Sequence, residues 1–527
     1  VVVVLAKVKS CALFGIEAYL VEVEVDVGRG LPSFSTVGLP DAAVRESRER
    51  VVSAIRNSGF ELPPRKIVVN LAPADTRKEG AGFDLAVAVA LLKATGQVPT
   101  PEDSSTSGAS SGAVDDCIFV GELSLDGKLR PVRGVLSMAL LAKESNLQGM
   151  IVPSENGEEA SVALGEKVLV ADTLSDVVRF LRGELKLTSP GAASTGAVLG
   201  SSKRARLYLD FSEVRGQQHV KRALEVAAAG NHNIIMIGPP GSGKTMLARR
   251  VPSILPPLTI DEAVETTKIY SSAGKLRRGV ALLSSRPFRS PHHTVSVAGV
   301  IGGGKCPRPG EVSLAHNGIL FLDELPEFRH DVLEALRQPL EEGGLTVSRA
   351  GGTVTFPARF MLIAASNPCP CGYFTDELKE CTCTPIQIRN YIARLSGPLL
   401  DRIDIHVFAP RVSFREISHC EPGESSSVIR ERVLNARTVQ LKRYANLSGV
   451  RTNSDLGEGH VRRFCIVDES GLSILRAAME RLGLSGRAFH RILKVARTIA
   501  DLDDAALPRA EHVAEAIQYR SLDRTQF

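Results

Sequence analysis

Tryptophan is absent from this 527-residue chain, and aromatic residues of all kinds make up only 5% of it. That removes the interleaved aromatic series on which single-stranded nucleic acids stack their bases, so a nucleic-acid contact would have to rest on charge. Long hydrophobic runs are missing as well, none approaching the roughly 18 apolar residues of a bilayer-spanning helix. The opening Val1–Leu5 is apolar but short, has no basic stretch ahead of it and runs on into an alternating pattern, which reads as strand rather than signal peptide. No charge of one sign dominates: the formal +5 is the difference between 64 basic and 59 acidic residues, and it permits a nucleic-acid partner without arguing for one. Nine cysteines are too few for a disulfide scaffold. Cys11, Cys117, Cys306, Cys420 and Cys465 are scattered, whereas Cys369, Cys371, Cys381 and Cys383 are clustered, a pattern that fits a reducing cytoplasm and one metal site.

What is present is the composition of an ordinary globular protein, 43% hydrophobic and 23% charged. The length exceeds one hydrophobic core and implies about three or four domains. Residues 1–187 read as α/β. Val21–Val27 alternates with the period of a half-buried strand, and Ile67–Leu71, Ile118–Leu123 and Met150–Val152 read as further strands. Phe83–Leu92 and Leu136–Glu144 read as helices, and Pro101–Cys117 as a Ser/Gly/Thr-rich loop. Residues 188–207, with the Gly/Ala/Ser-rich run Ser189–Ser202, predict a flexible linker. Residues 208–412 alternate strands and helices again. Residues 413–527 are mostly helical, most clearly over Val461–Leu482, Arg487–Asp501 and Arg509–Tyr519.

The strand pattern Asn233–Ile237 runs into Gly238-Pro239-Pro240-Gly241-Ser242-Gly243-Lys244-Thr245, and Met246–Arg250 continues with helical character. Strand, glycine-rich turn and helix start are the setting in which backbone N–H groups cradle phosphates, so this stretch predicts a site for ATP and Mg²⁺. Lys244 is expected to reach the β/γ-phosphates and Thr245 the metal. Further along, Gly318–Glu324 is an apolar strand ending in two carboxylates: Asp323 is placed to ligate Mg²⁺, Glu324 to orient or deprotonate the attacking water. A third strand, Phe360–Ala365, leads to Asn367, the candidate reader of the γ-phosphate. Arg402, in Leu399–Asp404, is the first candidate for a finger serving a neighbouring subunit, worth ~10³–10⁵ in rate where one acts, and Arg394 the second. Arg402 could equally pair with Asp401 or Asp404. Arg487 at the start of a helix is the candidate contact to the γ-phosphate in cis, with Arg491 one turn later as the alternative.

Cys369-Pro-Cys371 and Cys381-Thr-Cys383 are two C-x-C pairs with nine residues between them. Four thiolates suit tetrahedral structural Zn²⁺ and leave no open position for catalysis. Free thiols in a surface loop, or a disulfide in an oxidising compartment, are the other readings. Leu345–Ser348 and Thr353–Phe356 form a hairpin signal with Arg349 near its tip. Arg286–Arg308 carries a second set of cations, among them Arg289, Lys305 and Arg308, with His292 and His293. These residues are the candidate DNA contacts, acting on phosphates without reading sequence.

The stretch Phe211–Gln218 resembles the adenine-side box of AAA+ proteins, which gives Val214, Gly216 and Gln217 a nucleotide-binding role. Arg286–His293, Gly302–Gly318 and Ser366–Gly372 resemble the Mg-chelatase-like AAA+ ATPases, in particular the YifB/ComM family, and Leu31–Arg50 and Val69–Asp75 match that family's N-terminal domain. The resemblance spans nearly the whole chain. It implies a multidomain α/β protein: a ribosomal S5 domain 2-like (Lon-like) N-terminal domain, a P-loop AAA+ core and a C-terminal helical lid. It further implies a cytoplasmic, homohexameric ring ATPase that moves on branched or single-stranded DNA and drives branch migration in recombination during natural transformation. In related ring helicases a hairpin placed like the one carrying Arg349 lines the pore. Lon-type proteases use a Ser–Lys dyad. The corresponding Lys78–Asp84 has no serine and Leu136 stands where the lysine would be, so no peptide cleavage is expected.

Three rival functions share parts of the pattern. A chelatase-type ATPase working through a partner subunit is disfavoured by the fused Lon-like domain and the C-x-C pairs. A scaffold whose assembly ATP merely switches is disfavoured by the full set Lys244, Asp323, Glu324, Asn367 and Arg402. An ATP-dependent protease is disfavoured by the missing dyad.

Overall fold

The computed structural model describes residues 5–520 apart from 75, 77, 100–115, 191–208, 305–306, 350–351, 375, 377, 396 and 413–422. The expected linker therefore lies, from residue 191 onward, outside the described residues, as does most of the Ser/Gly/Thr-rich loop.

The N-terminal unit contains β1 (Leu5–Phe14), β2 (Glu17–Gly28), β3 (Ser33–Val37), β4 (Lys66–Ala72), β5 (Cys117–Phe119), β6 (Glu122–Leu123), β7 (Leu129–Arg130), β8 (Gly149–Pro153) and β9 (Val168–Ala171). Seven of them make one sheet in the order β3-β4-β2-β1-β5-β8-β9. The alternation of β2 sends Val21, Val23, Val25 and Val27 into the core while Glu22, Glu24 and Asp26 face outward. It pairs antiparallel with β1 from Leu5↔Asp26 to Phe14↔Glu17, closed by the turn Gly15-Ile16. Helix Asp84–Ala94 is buried along its whole length, which explains its apolar run Leu85–Leu92. The single strand expected over Ile118–Leu123 is two. The chain breaks at Gly121, where a Cβ would lie 2.6 Å from Leu129 Cδ2, and β6 leaves the sheet to pair with β7.

The P-loop unit contains β10 (Ile234–Ile237), β11 (Phe288–Arg289), β12 (Gly302–Gly303), β13 (Arg308–Pro309), β14 (Ile319–Leu322), β15 (Gly344–Arg349), β16 (Gly352–Pro357), β17 (Met361–Ser366) and β18 (Ile405–Phe408). A five-stranded sheet, order β11-β14-β17-β10-β18, is parallel throughout. Its central strands are covered on both faces and consequently read as continuous apolar runs, Ile-Ile-Met-Ile and Ile-Leu-Phe-Leu. All five carboxyl ends point to one edge, where sheets of this kind bind ligands. β12–β13 and β15–β16 are separate antiparallel hairpins.

Beyond residue 422 the described chain is helical: Ser426–Arg443, Glu458–Phe464, Glu469–Leu482, Gly486–Leu502 and Ala510–Gln518. The helical stretch expected over Val461–Leu482 is interrupted, because Asp468 caps a new helix by accepting from Gly471 N at 2.8 Å. Apolar residues of these helices join the face of the P-loop sheet in one core with Ile234, Met236, Ile363, Ile492 and Ala496. Among the described residues no helix is long and apolar enough to cross a membrane.

Candidate functional site

The P-loop follows directly from β10. Gly238 passes so close to β18 that a Cβ would lie 2.0 Å from Ala409 O, and Gly241 and Gly243 hold φ of +79° and +81°, which only glycine adopts freely. Lys244 opens the helix Lys244–Ala248, shorter than the expected run to Arg250 because a 3₁₀ turn containing Pro252 takes over at Val251. Its ammonium donates to Gly238 O at 2.7 Å, Pro239 O at 3.0 Å, Ser242 Oγ at 3.4 Å and Asn367 Oδ1 at 3.3 Å. Burial lowers its pKa to about 8, against the opposing pull of Asp323 and Glu324. Thr245 Oγ1 donates to Asp323 Oδ2 at 2.7 Å. Glu324 follows in a left-handed conformation, φ +52°, with its carboxylate 56% exposed and His293 Nδ1 3.9 Å away. Lys244, Thr245, Asp323, Glu324 and Asn367, expected from separate segments, thus meet at the carboxyl edge of β10, β14 and β17.

The residues expected on the adenine side lie against the P-loop. Gly216 and Gln217 are left-handed at φ +65° and +52°, and the Gln217 amide donates to Ser242 O and Pro410 O, both at 2.7 Å. Its Oε1 is buried without a partner. Val214 is buried and its carbonyl accepts from Lys221 Nζ. These observations fit a magnesium nucleotide. A left-handed glycine loop ends in a helix start, a hydroxyl and carboxylate sit where a hard cation takes oxygen ligands, and a buried acceptor awaits an amine.

The four candidate arginines differ in exposure and in partners. Arg402 pairs with neither Asp401 nor Asp404: it is 7% exposed and its guanidinium donates to Glu341 and to Pro398 O within the same chain. Its guanidinium is turned inward onto these two partners. Arg394 is 59% exposed, with Glu327 3.6 Å away. Arg487 is exposed, with Asp401 4.0 Å away. Arg491 is committed to Asp404, and it also donates to Arg402 O at 3.0 Å. Burial alone would raise the Asp404 carboxyl, but Arg491 and His232 beside it hold it far below the usual carboxylate range.

The four clustered cysteines come together with all Sγ atoms within 4.8 Å of one another, Cys369 buried and the others half-buried. Cys369 Sγ lies 3.3 Å from Cys371 Sγ and 3.7 Å from Cys381 Sγ, and Cys371 Sγ lies 3.5 Å from Cys381 Sγ. Tetrahedral zinc with Zn–S near 2.3 Å sets sulfurs about 3.8 Å apart, so the donor set fits that ion. Cys383 Sγ accepts from Cys371 N at 3.4 Å. Gly372 inside this loop, φ +83°, lies against the P-loop: a Cβ there would be 2.6 Å from Pro240 Cδ.

Of the candidate DNA contacts, Arg349 closes β15 opposite Gly352. Arg308 is exposed on β13, and Lys305 lies outside the described residues. Arg289 is forked onto Glu311, its Nε and Nη2 donating to the two carboxylate oxygens at 2.6 and 2.8 Å. The His292 and His293 rings lie tilted against each other, centroids 4.0 Å apart. Glu341 and Glu311 were missed by sequence reading, since nothing local marks an ion-pair partner far along the chain. In the N-terminal unit, Leu136 is fully buried and Asp84 is held by Arg50 at 2.9 and 3.2 Å.

Three family profiles match the chain: "Magnesium chelatase, subunit ChlI" over residues 210–417, "Subunit ChlI of Mg-chelatase" over 23–156, and "Magnesium chelatase, subunit ChlI C-terminal" over 423–520. The Competence protein ComM of Haemophilus influenzae is 43% identical over 522 residues, 99% of this chain and 98% of its own length. The protein YifB of Escherichia coli is 44% identical over 523 residues, with the same coverage of 99% and 98%. The magnesium-chelatase 38 kDa subunit of Rhodobacter capsulatus is 27% identical over 187 residues, 32% of this chain and 53% of that one. With full-length relatives at this identity and a P-loop site assembled as described, the chain belongs to the YifB/ComM family of magnesium-chelatase-like AAA+ ATPases.

Proposed function

We propose that the chain is a ring-forming motor, a homohexamer, that couples ATP hydrolysis to movement along branched or single-stranded DNA, as a branch-migration helicase in recombination and natural transformation in the cytoplasm. The observation that carries this reading is the meeting of Lys244, Thr245, Asp323, Glu324 and Asn367 at one sheet edge, in a chain that also has an exposed-faced hairpin ending at Arg349. The choice of DNA is supported by the word competence in the name of the Haemophilus influenzae relative.

In this reading residues 1–187 are a Lon-like domain without a catalytic dyad, 188–207 a linker, 208–412 the AAA+ core and 413–527 the helical lid. Thr245 and Asp323 hold Mg²⁺, which supplies charge neutralisation at the phosphates when bound. Lys244 releases the loop carbonyls and turns its ammonium to the β/γ-phosphates, while Gln217 takes the base edge. Glu324 orients water and accepts its proton, and Asn367, now beside Lys244, positions the same water. Cys369, Cys371, Cys381 and Cys383 hold a structural Zn²⁺ that stiffens the loop leaning on Pro240. The Lon-like domain performs no proteolysis, since Lys78–Asp84 offers no serine and Leu136 no base.

The test is ATP turnover with and without forked or four-way-junction DNA, alongside Glu324→Gln. A DNA stimulation that Glu324→Gln abolishes supports the motor. A chain indifferent to every DNA would instead favour a chelatase-type ATPase working through a partner subunit. The Rhodobacter capsulatus match supports that second reading for the 32% of this chain that it covers.

A further inference from the structure

The turn between β1 and β2 reaches out of its own sheet. Gly15 holds φ +69°, and a Cβ on it would lie 2.3 Å from Val354 Cγ1 and 3.6 Å from Phe356 Cε1, both on the hairpin β15–β16. Ile16, the next residue, is 5% exposed and belongs to the apolar cluster that contains Leu345, Val347, Val354 and Phe356. Those four side chains lie on one face of the hairpin, the face on which Arg349 and Gly352 follow at its end by strand alternation. The opposite face, Thr346, Ser348, Thr353 and Thr355, is exposed and laced by hydroxyl contacts of 3.2 Å (Thr346–Thr355) and 3.1 Å (Ser348–Thr353).

The turn is itself held on both sides. Ser137 Oγ donates to Ile16 O at 2.6 Å from within the N-terminal unit. Lys268, on the helix Ile260–Ser272 of the P-loop unit, donates to both carboxylate oxygens of Glu17 at 2.9 Å. One turn further along that helix, Ser271 donates to the buried Glu159 carboxylate, which also accepts from Leu136 N at 3.0 Å. The N-terminal sheet therefore clasps both the hairpin and a helix of the P-loop unit. A two-stranded ribbon is marginally stable by itself and needs one face packed to hold a single position.

We propose that the N-terminal unit is a mechanical buttress for the DNA-gripping hairpin, with Ile16 as a positioning residue that seats β15–β16 so that its Arg349 end meets the nucleic-acid backbone. This rests on the DNA reading above, and it gives a task to a domain that has the Lon-like outline without the chemistry. Gly15 is required because any side chain there would displace Val354; Ile16 fills the apolar face behind it.

Because the chain has no tryptophan, Thr353→Trp places the sole indole of the protein on the hairpin's exposed face. In the full-length chain, adding Ile16→Ala is expected to lower the anisotropy of that indole, and Ile16→Val to restore it. Without the indole, Ile16→Ala is expected to raise the four-way-junction DNA concentration for half-maximal ATPase stimulation about tenfold, with basal turnover and the KM for ATP unchanged. Gly15→Ala, which leaves no cavity, should act in the same direction if Ile16→Ala folds poorly. Unchanged anisotropy, or lowered anisotropy with unchanged DNA half-saturation, overturns the proposal. A wild type that no DNA stimulates, but whose hairpin anisotropy still follows Ile16, defeats the DNA reading and leaves the buttress standing.

Discussion

At the scale of single residues, Lys244 is a cation held ready at a cost. Its ammonium is buried among loop carbonyls, and burial brings its pKa down to about 8. Phosphates would raise it again, so ATP binding above about pH 8 must take up a proton, whereas below that the lysine is already charged. The affinity for ATP is therefore expected to be flat below pH 8 and to weaken by up to about tenfold per pH unit above it. Calorimetry at pH 8.5 in two buffers of different ionisation enthalpy measures the uptake directly; identical heats in both would refute it. Glu324 makes the complementary case, because it contacts neither Lys244 nor Thr245. Glu324→Gln should leave ATP affinity intact while cutting turnover by about 10²–10⁴. The residues of this site were legible in the sequence because each sits at a fixed offset from a strand end or glycine turn. Their partners were not. Arg289 and Arg402 carry the charge that the pattern promised, but Glu311 and Glu341 decide what that charge does, and only the folded chain brings them close.

At the scale of elements, what the sequence concealed were the breaks. Periodicity marks Val461–Leu482 as helical throughout, yet a capping aspartate at 468 starts a second helix, and the apolar run Ile118–Leu123 divides at a glycine pressed against Leu129. The pairs of cysteines behaved in the opposite way: a C-x-C spacing less familiar than C-x₂-C still converges to sulfur separations of 3.3–3.7 Å. The chain should carry one zinc per polypeptide by elemental analysis. Cys381→Ser should release it and, through the loop against Pro240, weaken nucleotide binding as well as lower Tm. A metal-free protein with ordinary nucleotide affinity would refute both parts. Where the C-terminal helices meet the sheet, Asp404 ties Arg491, His232 and Asn233 N together. Asp404→Asn leaves Arg491 without its counter-charge, and should cost about 3–5 kcal/mol in urea unfolding.

At the scale of the whole molecule, the ring proposed above calls for an arginine that crosses between subunits. Arg402 would have to abandon Glu341 and Pro398 O and leave a buried position to do so, whereas Arg394 stands at the end of helix Pro385–Ala393, more than half exposed and beside Glu327. A finger in trans separates two defects onto different chains. In a ring built from equal amounts of Glu324→Gln and Arg394→Ala subunits, a site is intact when its Glu324 comes from one type and its arginine from the other. Random assembly makes that half times half, about one interface in four. Mixing the two inactive proteins should then recover up to about a quarter of wild-type turnover, and it should do so only after subunit exchange. No recovery would return the role to Arg402 or place Arg394 in cis. Arg402→Ala is expected to show itself first as a loss of thermal stability, because it empties a buried position and leaves Pro398 O without that donor.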